Sequence, residues 1–291
     1  MNPAVFGSLV AAILIFASPF ARATITCTAP TSGGVSTAYL STGVLPNYTQ
    51  GSFSTTCTRS SGADALTVLI RANNGVNATG TQNRARLGAN FILYELYQTS
   101  GCSSLWSNIA PPASTMITLT LANVTTAQTI TTPSYWGCIT TAQSVAAGTY
   151  TDTVTMRVLA NNGITTLSPN GTFAVSINNV ATCNITSVAT VAFGTYVALQ
   201  NTALISPAAS VVMNCTTNLP YSLALDATSG LIAGAGLNYS LATSWVAGSQ
   251  LRGAGPGQTY TITGTLPANQ AGTCSSGSCS GSSPRVLTVT Y

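Results

Sequence analysis

The sequence contains neither histidine nor lysine, and it is poor in charge of either sign. Of its 291 residues, eight are basic, all of them arginine, and four are acidic. Without histidine, the most common general base and metal ligand is missing. We therefore expect a protein that is not an enzyme, with no catalytic residue, no metal site and no cofactor. The arginines are spread singly along the chain, so the sequence predicts neither a basic stripe for nucleic acid nor a polybasic membrane patch.

Long apolar runs are also missing after the amino-terminal segment. Residues 1–23 combine an apolar stretch, residues 4–17, with the small-x-small sequence Ala21-Arg22-Ala23, which is typical of a secretory signal and its cleavage site. The stretch is short for a membrane span, although a membrane anchor is the alternative. We expect a mature chain that starts at Thr24, has no membrane span and is exported through the periplasm.

Cysteine, by contrast, is present in an even number, and every cysteine follows the predicted signal. In an exported protein this favours disulfides over free thiols or metal ligands. The eight positions are Cys27, Cys57, Cys102, Cys138, Cys183, Cys215, Cys274 and Cys279.

The two halves of the chain share an order of landmarks. Each half begins with a cysteine pair of almost equal spacing, which predicts the disulfides Cys27–Cys57 and Cys183–Cys215. A bridge between Cys102 and Cys138 is a further prediction, but spacing leaves open the pairing of these two and of Cys274 and Cys279. Two related domains are the simplest explanation of the shared order. Other counterparts are Trp106 with Trp245, both expected in a core, Leu93 with Leu237, and Gln143 with Gln270.

No helix of credible length is predicted, and short strands alternate with Gly, Asn, Pro and Ser turns. We expect an all-β protein with two Ig-like antiparallel β-sandwich domains in tandem, residues 24–160 and 178–291. Between them, residues 161–177 form a linker or a donor strand. Phe173, Val175 and Ile177 alternate with polar or small residues, the pattern of a half-buried strand that could fold back onto the first domain. A plain interdomain linker is the alternative.

Several segments taken together resemble the spore coat protein U domain, the fold used by pilins of archaic chaperone–usher pili. In the second half these are residues 183–185, 191–196, 210–216, 237–239, 260–270 and 286–291. In the first half, residues 148–154 read Gly-Thr-Tyr-Thr-Asp-Thr-Val, like the last common strand of that family. The second half departs from the family there, with the loop that contains Cys274 and Cys279.

The resemblance implies a second domain that lacks its final strand and receives one from a partner. The implied partners are a periplasmic chaperone, an outer-membrane usher and the next pilin subunit. Because few residues precede Cys27 and the chain stops at Tyr291, we expect a subunit that accepts a strand without donating one. This predicts a position at the pilus tip, outside the cell, in surface attachment and biofilm formation. Two alternatives are a structural spore-coat or cell-surface coat protein and a free secreted carbohydrate-binding β-sandwich.

Loops of the first domain are the candidate adhesive surface. They carry apolar and proline-stiffened residues, which in an exposed patch would mark a binding site. The alternative is that these residues fold inward. The ligand is unknown, since apolar loops favour hydrophobic surfaces and Asn/Thr-rich loops suit glycans. The candidate adhesive residues are Leu45, Tyr48, Ile109, Pro111, Met116 and Trp136.

Overall fold

The chain is all-β in its computed structural model, with no helix among the described residues. Among the described residues, no helix is therefore long and apolar enough to cross a bilayer. The predicted signal, residues 1–23, lies outside the described residues. These are residues 24–41, 43–60, 66–106, 116–122, 124–131, 134–160, 165–275 and 277–291.

The described residues of the first domain form fourteen strands, and most of these bury alternate side chains, as half-buried strands do. In one strand, for example, Phe53, Thr55 and Cys57 are buried, whereas Ser54 and Thr56 are partly exposed. The strands are β1 (Ile25–Cys27), β2 (Thr31–Ser32), β3 (Val35–Tyr39), β4 (Asn47–Gly51), β5 (Phe53–Arg59), β6 (Leu66–Ala72), β7 (Asn83–Leu87), β8 (Asn90–Tyr97), β9 (Ile117–Leu121), β10 (Gln128–Thr131), β11 (Tyr135–Ile139), β12 (Gly148–Ala160), β13 (Thr165–Thr166) and β14 (Gly171–Asn179).

Two sheets form the first sandwich. The smaller sheet has the order β1-β5-β10, with β2 beside β5. The larger one runs β3-β14-β12-β7-β8-β11-β4, with β6, β9 and β13 attached. Trp106 is fully buried between the sheets, where its ring lies near those of Phe53, Tyr135 and Phe173. Its indole N–H donates to the Ile70 carbonyl, so the polar edge is satisfied in the core.

Strand β14 closes the first domain. It pairs antiparallel with β12 over its whole length and parallel with β3 from Val175 to Asn179. Phe173, Val175 and Ile177 are each at most 3% exposed. The segment therefore fills the gap between β3 and β12 in its own domain. Residues 178 and 179, expected to open the second domain, belong to this strand, and residues 180–182 connect it to β15.

The second domain repeats this plan with fewer strands. One sheet has the order β15-β17-β22-β20-β19, with β16 beside β22, and the other has the order β21-β18-β23. Trp245 is 5% exposed, so Trp106 and Trp245 each lie in the core of their domain, as the internal repeat predicts. The strands are β15 (Cys183–Val188), β16 (Leu204–Ile205), β17 (Ala209–Cys215), β18 (Pro220–Leu225), β19 (Ser229–Ile232), β20 (Leu237–Thr243), β21 (Leu251–Arg252), β22 (Gly255–Leu266) and β23 (Leu287–Thr290).

A glutamine clamp shows how the domains correspond. The Gln143 side chain accepts from the Leu93 N–H and donates to the Leu93 carbonyl. Gln270 makes the same two bonds with Asn238. The counterpart of Leu93 is thus Asn238, and matching Leu93 with Leu237 from the sequence is wrong by one residue, because a one-residue slip is hard to see in short strands.

All eight cysteines are in disulfides. The first bridge joins β1 to β5 and the third joins β15 to β17, at the same place in each sandwich. The second ties the loop after β8 to β11, and the last closes a short loop before β23. The four pairs are Cys27–Cys57, Cys102–Cys138, Cys183–Cys215 and Cys274–Cys279.

Candidate functional site

The second domain has an open sheet edge at the position that β14 occupies in the first. β23 pairs with β18, just as β12 pairs with β6. β12 then carries β14 on its other side, whereas no strand in the described part of the chain pairs with the other side of β23. An open edge presents unpaired N–H and C=O groups that a further strand can bond.

The opposite wall of the gap is the segment of residues 191–196. Tyr196 marks it as the counterpart of β3, because its hydroxyl accepts from the Gln270 N–H. The Tyr39 hydroxyl, in β3, accepts in the same way from the Gln143 N–H. Unlike β3, residues 191–196 belong to no strand. Both segments that would flank a missing strand are therefore present, β23 as a regular strand and residues 191–196 without strand geometry.

Apolar side chains form the floor of the groove between these walls. Ile232, Tyr239 and Leu266 make a buried cluster, against which Phe193 and Leu237 pack while partly exposed. The groove has a volume of about 920 Å³. Its floor therefore offers apolar surface to any strand that enters.

The rim contains the Cys274–Cys279 loop and one ion pair. The Arg285 guanidinium lies 5.4 Å from the centre of the Tyr239 ring and 3.7 Å from the Asp226 carboxylate. Asp226 also accepts a hydrogen bond from the Val286 N–H. These contacts fix the chain where it enters β23, so the open edge is held in place without a neighbouring strand.

This geometry suits strand addition. In the first domain, the same gap takes Phe173, Val175 and Ile177 on the core side of β14. Burying three such side chains stabilises by roughly 5–8 kcal/mol, before the loss of chain entropy is counted. A strand with the same alternation would bond the open edge of β23 and cover the apolar floor. The sequence-based reasoning did not identify Ile232, Leu266 or Arg285, since the gap between strands becomes visible only in three dimensions.

The candidate adhesive residues of the first domain do not lie together. Met116 is 4% exposed and packs with Leu69 and Leu159, and Leu45 packs partly buried against the main core. Leu45 therefore packs inward, whereas Met116 is buried on the outer face of the larger sheet, and neither belongs to an exposed apolar patch. Ile109 and Pro111 lie outside the described residues.

Tyr48 and Trp136 lie on one outer face of the larger sheet. Tyr48 is 52% exposed and is paired with Cys138, two residues along β11 from Trp136. Cys138 also pairs with Glu95 on β8. Burial raises the pKa of the Glu95 carboxyl to about 7, and a hydrogen bond from the Asn83 N–H opposes this shift.

The protein is therefore a tandem β-sandwich protein, in which the first sandwich is closed by its own strand and the second is open at the matching place. A model of the spore coat protein U domain matches residues 14–157 and 170–241, which is more than half of the chain. The chain belongs to the spore coat protein U domain family. Among curated proteins, none matches it.

Solved structures of pilus proteins are similar at low sequence identity. One is a chaperone–tip adhesion subunit pre-assembly complex, CsuC–CsuE, from archaic chaperone–usher Csu pili of Acinetobacter baumannii: 13% identity, 92% of this chain and 100% of that one covered, TM-score 0.43. Another is the CupB6 tip adhesin from Pseudomonas aeruginosa: 9% identity, 92% and 95% covered, TM-score 0.38.

Proposed function

We propose that this protein is a secreted subunit of a chaperone–usher pilus, assembled by strand donation into its second domain. One observation carries the proposal, the groove between β23 and residues 191–196 at the place where β14 completes the first domain. Membership of the spore coat protein U domain family supports it. The partners would be a periplasmic chaperone first and the next subunit later, with an outer-membrane usher directing the exchange.

The finer part of the proposal is a tip position with an adhesive role in surface attachment and biofilm formation. The first domain takes its last strand from its own chain, so it needs no partner to complete its sheet. A subunit that assembles through the second domain leaves the first free to face outward. The outer sheet face with Tyr48 and Trp136 would then be accessible at the end of a fibre.

A tethered strand tests the groove directly. A copy of residues 170–180 would be fused after Tyr291 through a flexible Gly/Ser linker. We expect it to enter the groove and raise the unfolding temperature of the second domain by about 5 °C or more. The control is the same fusion with serine in place of the copied Phe173, Val175 and Ile177, which should leave the temperature unchanged.

Two outcomes would count against this function. A mature chain that is stable and monomeric without a chaperone or tethered strand would favour a free secreted sandwich. For the tip position, immunogold labelling should decorate the ends of fibres on the producing cells. Labelling along the shaft or over the cell surface would favour a structural or coat role.

A further inference from the structure

The larger sheet of the first domain gathers four of the eight arginines on its outer face. Arg71 and Arg157 face each other directly across β6 and β12. Arg86 on β7 faces Thr151 on β12, and Arg84 lies two residues away on the same strand face. Next to these arginines, Ala72, Val158, Asn83 and Ala85 are buried, so the arginines point outward. The sequence alone does not reveal this grouping, because strand pairing joins residues that are scattered in the sequence.

This arrangement has an electrostatic cost within the protein itself. Like charges directly opposite each other on neighbouring strands are destabilising. Burial lowers the pKa of the Arg71 guanidinium, and the charge of Arg157 lowers it further. The ion pair found within the described residues joins Arg285 to Asp226 in the second domain, and it includes none of these four arginines. A chain with so few charges nevertheless keeps four cations on one face.

The nearby carboxylates do not neutralise these cations. Asp152, on β12, is 3% exposed and accepts hydrogen bonds from the Tyr94 hydroxyl and the Val76 N–H. Glu95 accepts from the Gln82 amide at 2.6 Å and forms no ion pair within the described residues. The positive charge of the face is therefore available to an external anion.

Neutral acceptors hold the guanidinium groups in place. The Nε–H of Arg84 donates to the Asn77 carbonyl at 2.8 Å, and that of Arg86 to the Gly88 carbonyl at 2.6 Å. Both guanidiniums lie over the Phe91 ring, at 4.2 and 5.9 Å from its centre. Arg157 donates its Nε–H to the Asn170 side chain. These bonds orient the arginines without cancelling their charge, so less side-chain entropy is lost on binding.

We propose that this arginine face binds an acidic polysaccharide, a sugar polymer with carboxylate or sulfate groups. From Thr151, opposite Arg86, to Arg157, the face extends about 20 Å along β12 at roughly 3.3 Å per residue, so several repeating units fit and a small anion would use only part of it. The exposed hydroxyls of Thr151 and Thr153 lie between the cations and can bond sugar hydroxyls. Nucleic acid fits less well, since Arg84 already covers Phe91, the aromatic ring next to the arginines.

The test measures binding of the full mature chain to alginate, a polymer of uronic acids, with neutral dextran as the control ligand. We expect binding to alginate that weakens as salt rises, and no binding to dextran. Arg71→Gln/Arg157→Gln and Arg84→Gln/Arg86→Gln should each weaken binding about tenfold or more. Arg252→Gln, which removes an exposed arginine of the second domain, should change it less than about twofold. Unchanged thermal unfolding of each variant would show that folding is intact.

Three results would overturn the proposal. They are no binding to alginate, binding that survives all four substitutions, and equal loss in the Arg252→Gln control. Tighter binding of single-stranded DNA or of anionic lipid vesicles, lost in the same variants, would assign the face to another partner and contradict the polysaccharide. The assay does not involve the groove of the second domain, so its result is independent of the tethered-strand experiment.

Discussion

The two domains share one plan and differ in a single strand. Both domains have the glutamine clamp, the tyrosine that supports it, and a disulfide at the same place, between β1 and β5 in the first and between β15 and β17 in the second. In the first domain, β14 lies between β3 and β12, and the core beneath it is fully covered. In the second, the counterpart of β3 has lost its strand geometry and apolar side chains line an open groove. The comparison indicates that β14 does two things in the first domain. It covers the core, and it pairs with β3, whose counterpart in the second domain forms no strand.

Removing the largest buried side chain of β14, Phe173, should have the largest effect. Phe173→Ala opens a cavity beside Trp106 and Tyr135, whose rings lie 6.3 and 5.1 Å from that of Phe173. We expect a loss of about 3–5 kcal/mol in the free energy of unfolding of the first domain. Urea unfolding, with hydrogen exchange to assign the transition to a domain, measures it.

Phe193→Ala is the matched control in the open groove. Phe193 is only partly buried on the groove floor, so we expect a loss below about 1 kcal/mol. Equal losses for the two variants would mean that the groove is already as well packed as the closed domain.

The buried carboxylate of β12 has a weaker counterpart in the second domain. Asp152 accepts from the N–H groups of Val76, Asn77 and Thr153 and from the Tyr94 hydroxyl. Asp152→Asn removes the charge and one accepting oxygen, and should cost about 2–3 kcal/mol of unfolding free energy.

Ser283 provides the comparison. It accepts from the Tyr239 hydroxyl at 2.9 Å, the bond that corresponds to Tyr94 with Asp152. Ser283→Ala should cost less than about 1 kcal/mol in the same urea experiment. A loss as large as that of Asp152→Asn would show that the open domain depends on this bond as much as the closed one does.

Close backbone contact at the start of β14 should have a smaller effect. A Cβ added at Gly171 would lie 1.8 Å from the Pro30 carbonyl oxygen, which cannot move without shifting the backbone. Gly171→Ala should therefore cost about 1–3 kcal/mol. In the nearby control Gly33→Ala, the Cβ would meet nothing within 4 Å, and its thermal unfolding should match that of the parent. Equal stability of both variants would contradict tight docking of β14.

The smallest effect concerns pH and only the first domain. Because the pKa of Glu95 is raised to about 7 in the folded state, the folded chain binds more protons than the unfolded one between about pH 4.5 and pH 7. Stability should fall as pH rises through that window. Glu95→Gln should flatten this dependence and stabilise at pH 8 by about 1 kcal/mol, after allowance for partial exposure. If the free energy of unfolding of the parent and of Glu95→Gln changed with pH in the same way, the pKa of Glu95 would not be raised.

Much of the fold can be predicted from the sequence because its signals are local. The alternation at Phe173, Val175 and Ile177 predicts a strand, whichever strands it then pairs with. The repeated cysteine and glutamine positions indicate two related domains. The all-β class follows from strand patterns and turn residues alone.

The remaining features depend on which strands become neighbours. Arg71 and Arg157 are far apart in sequence and meet only because β6 pairs with β12. Met116 is apolar and near prolines, but its burial against Leu69 and Leu159 depends on how its loop folds over the sheet. The groove floor likewise combines Ile232 and Leu266 from separate strands.

Amide hydrogen exchange of β12 and β23 tests most directly whether the second domain is open at its edge. β12 lies between strands on both sides and should exchange slowly along its length. Leu287–Thr290 should exchange quickly at the amides that face the groove, and slow by at least about tenfold when the tethered copy of residues 170–180 is present. Slow exchange at all β23 amides without any added strand would contradict the account.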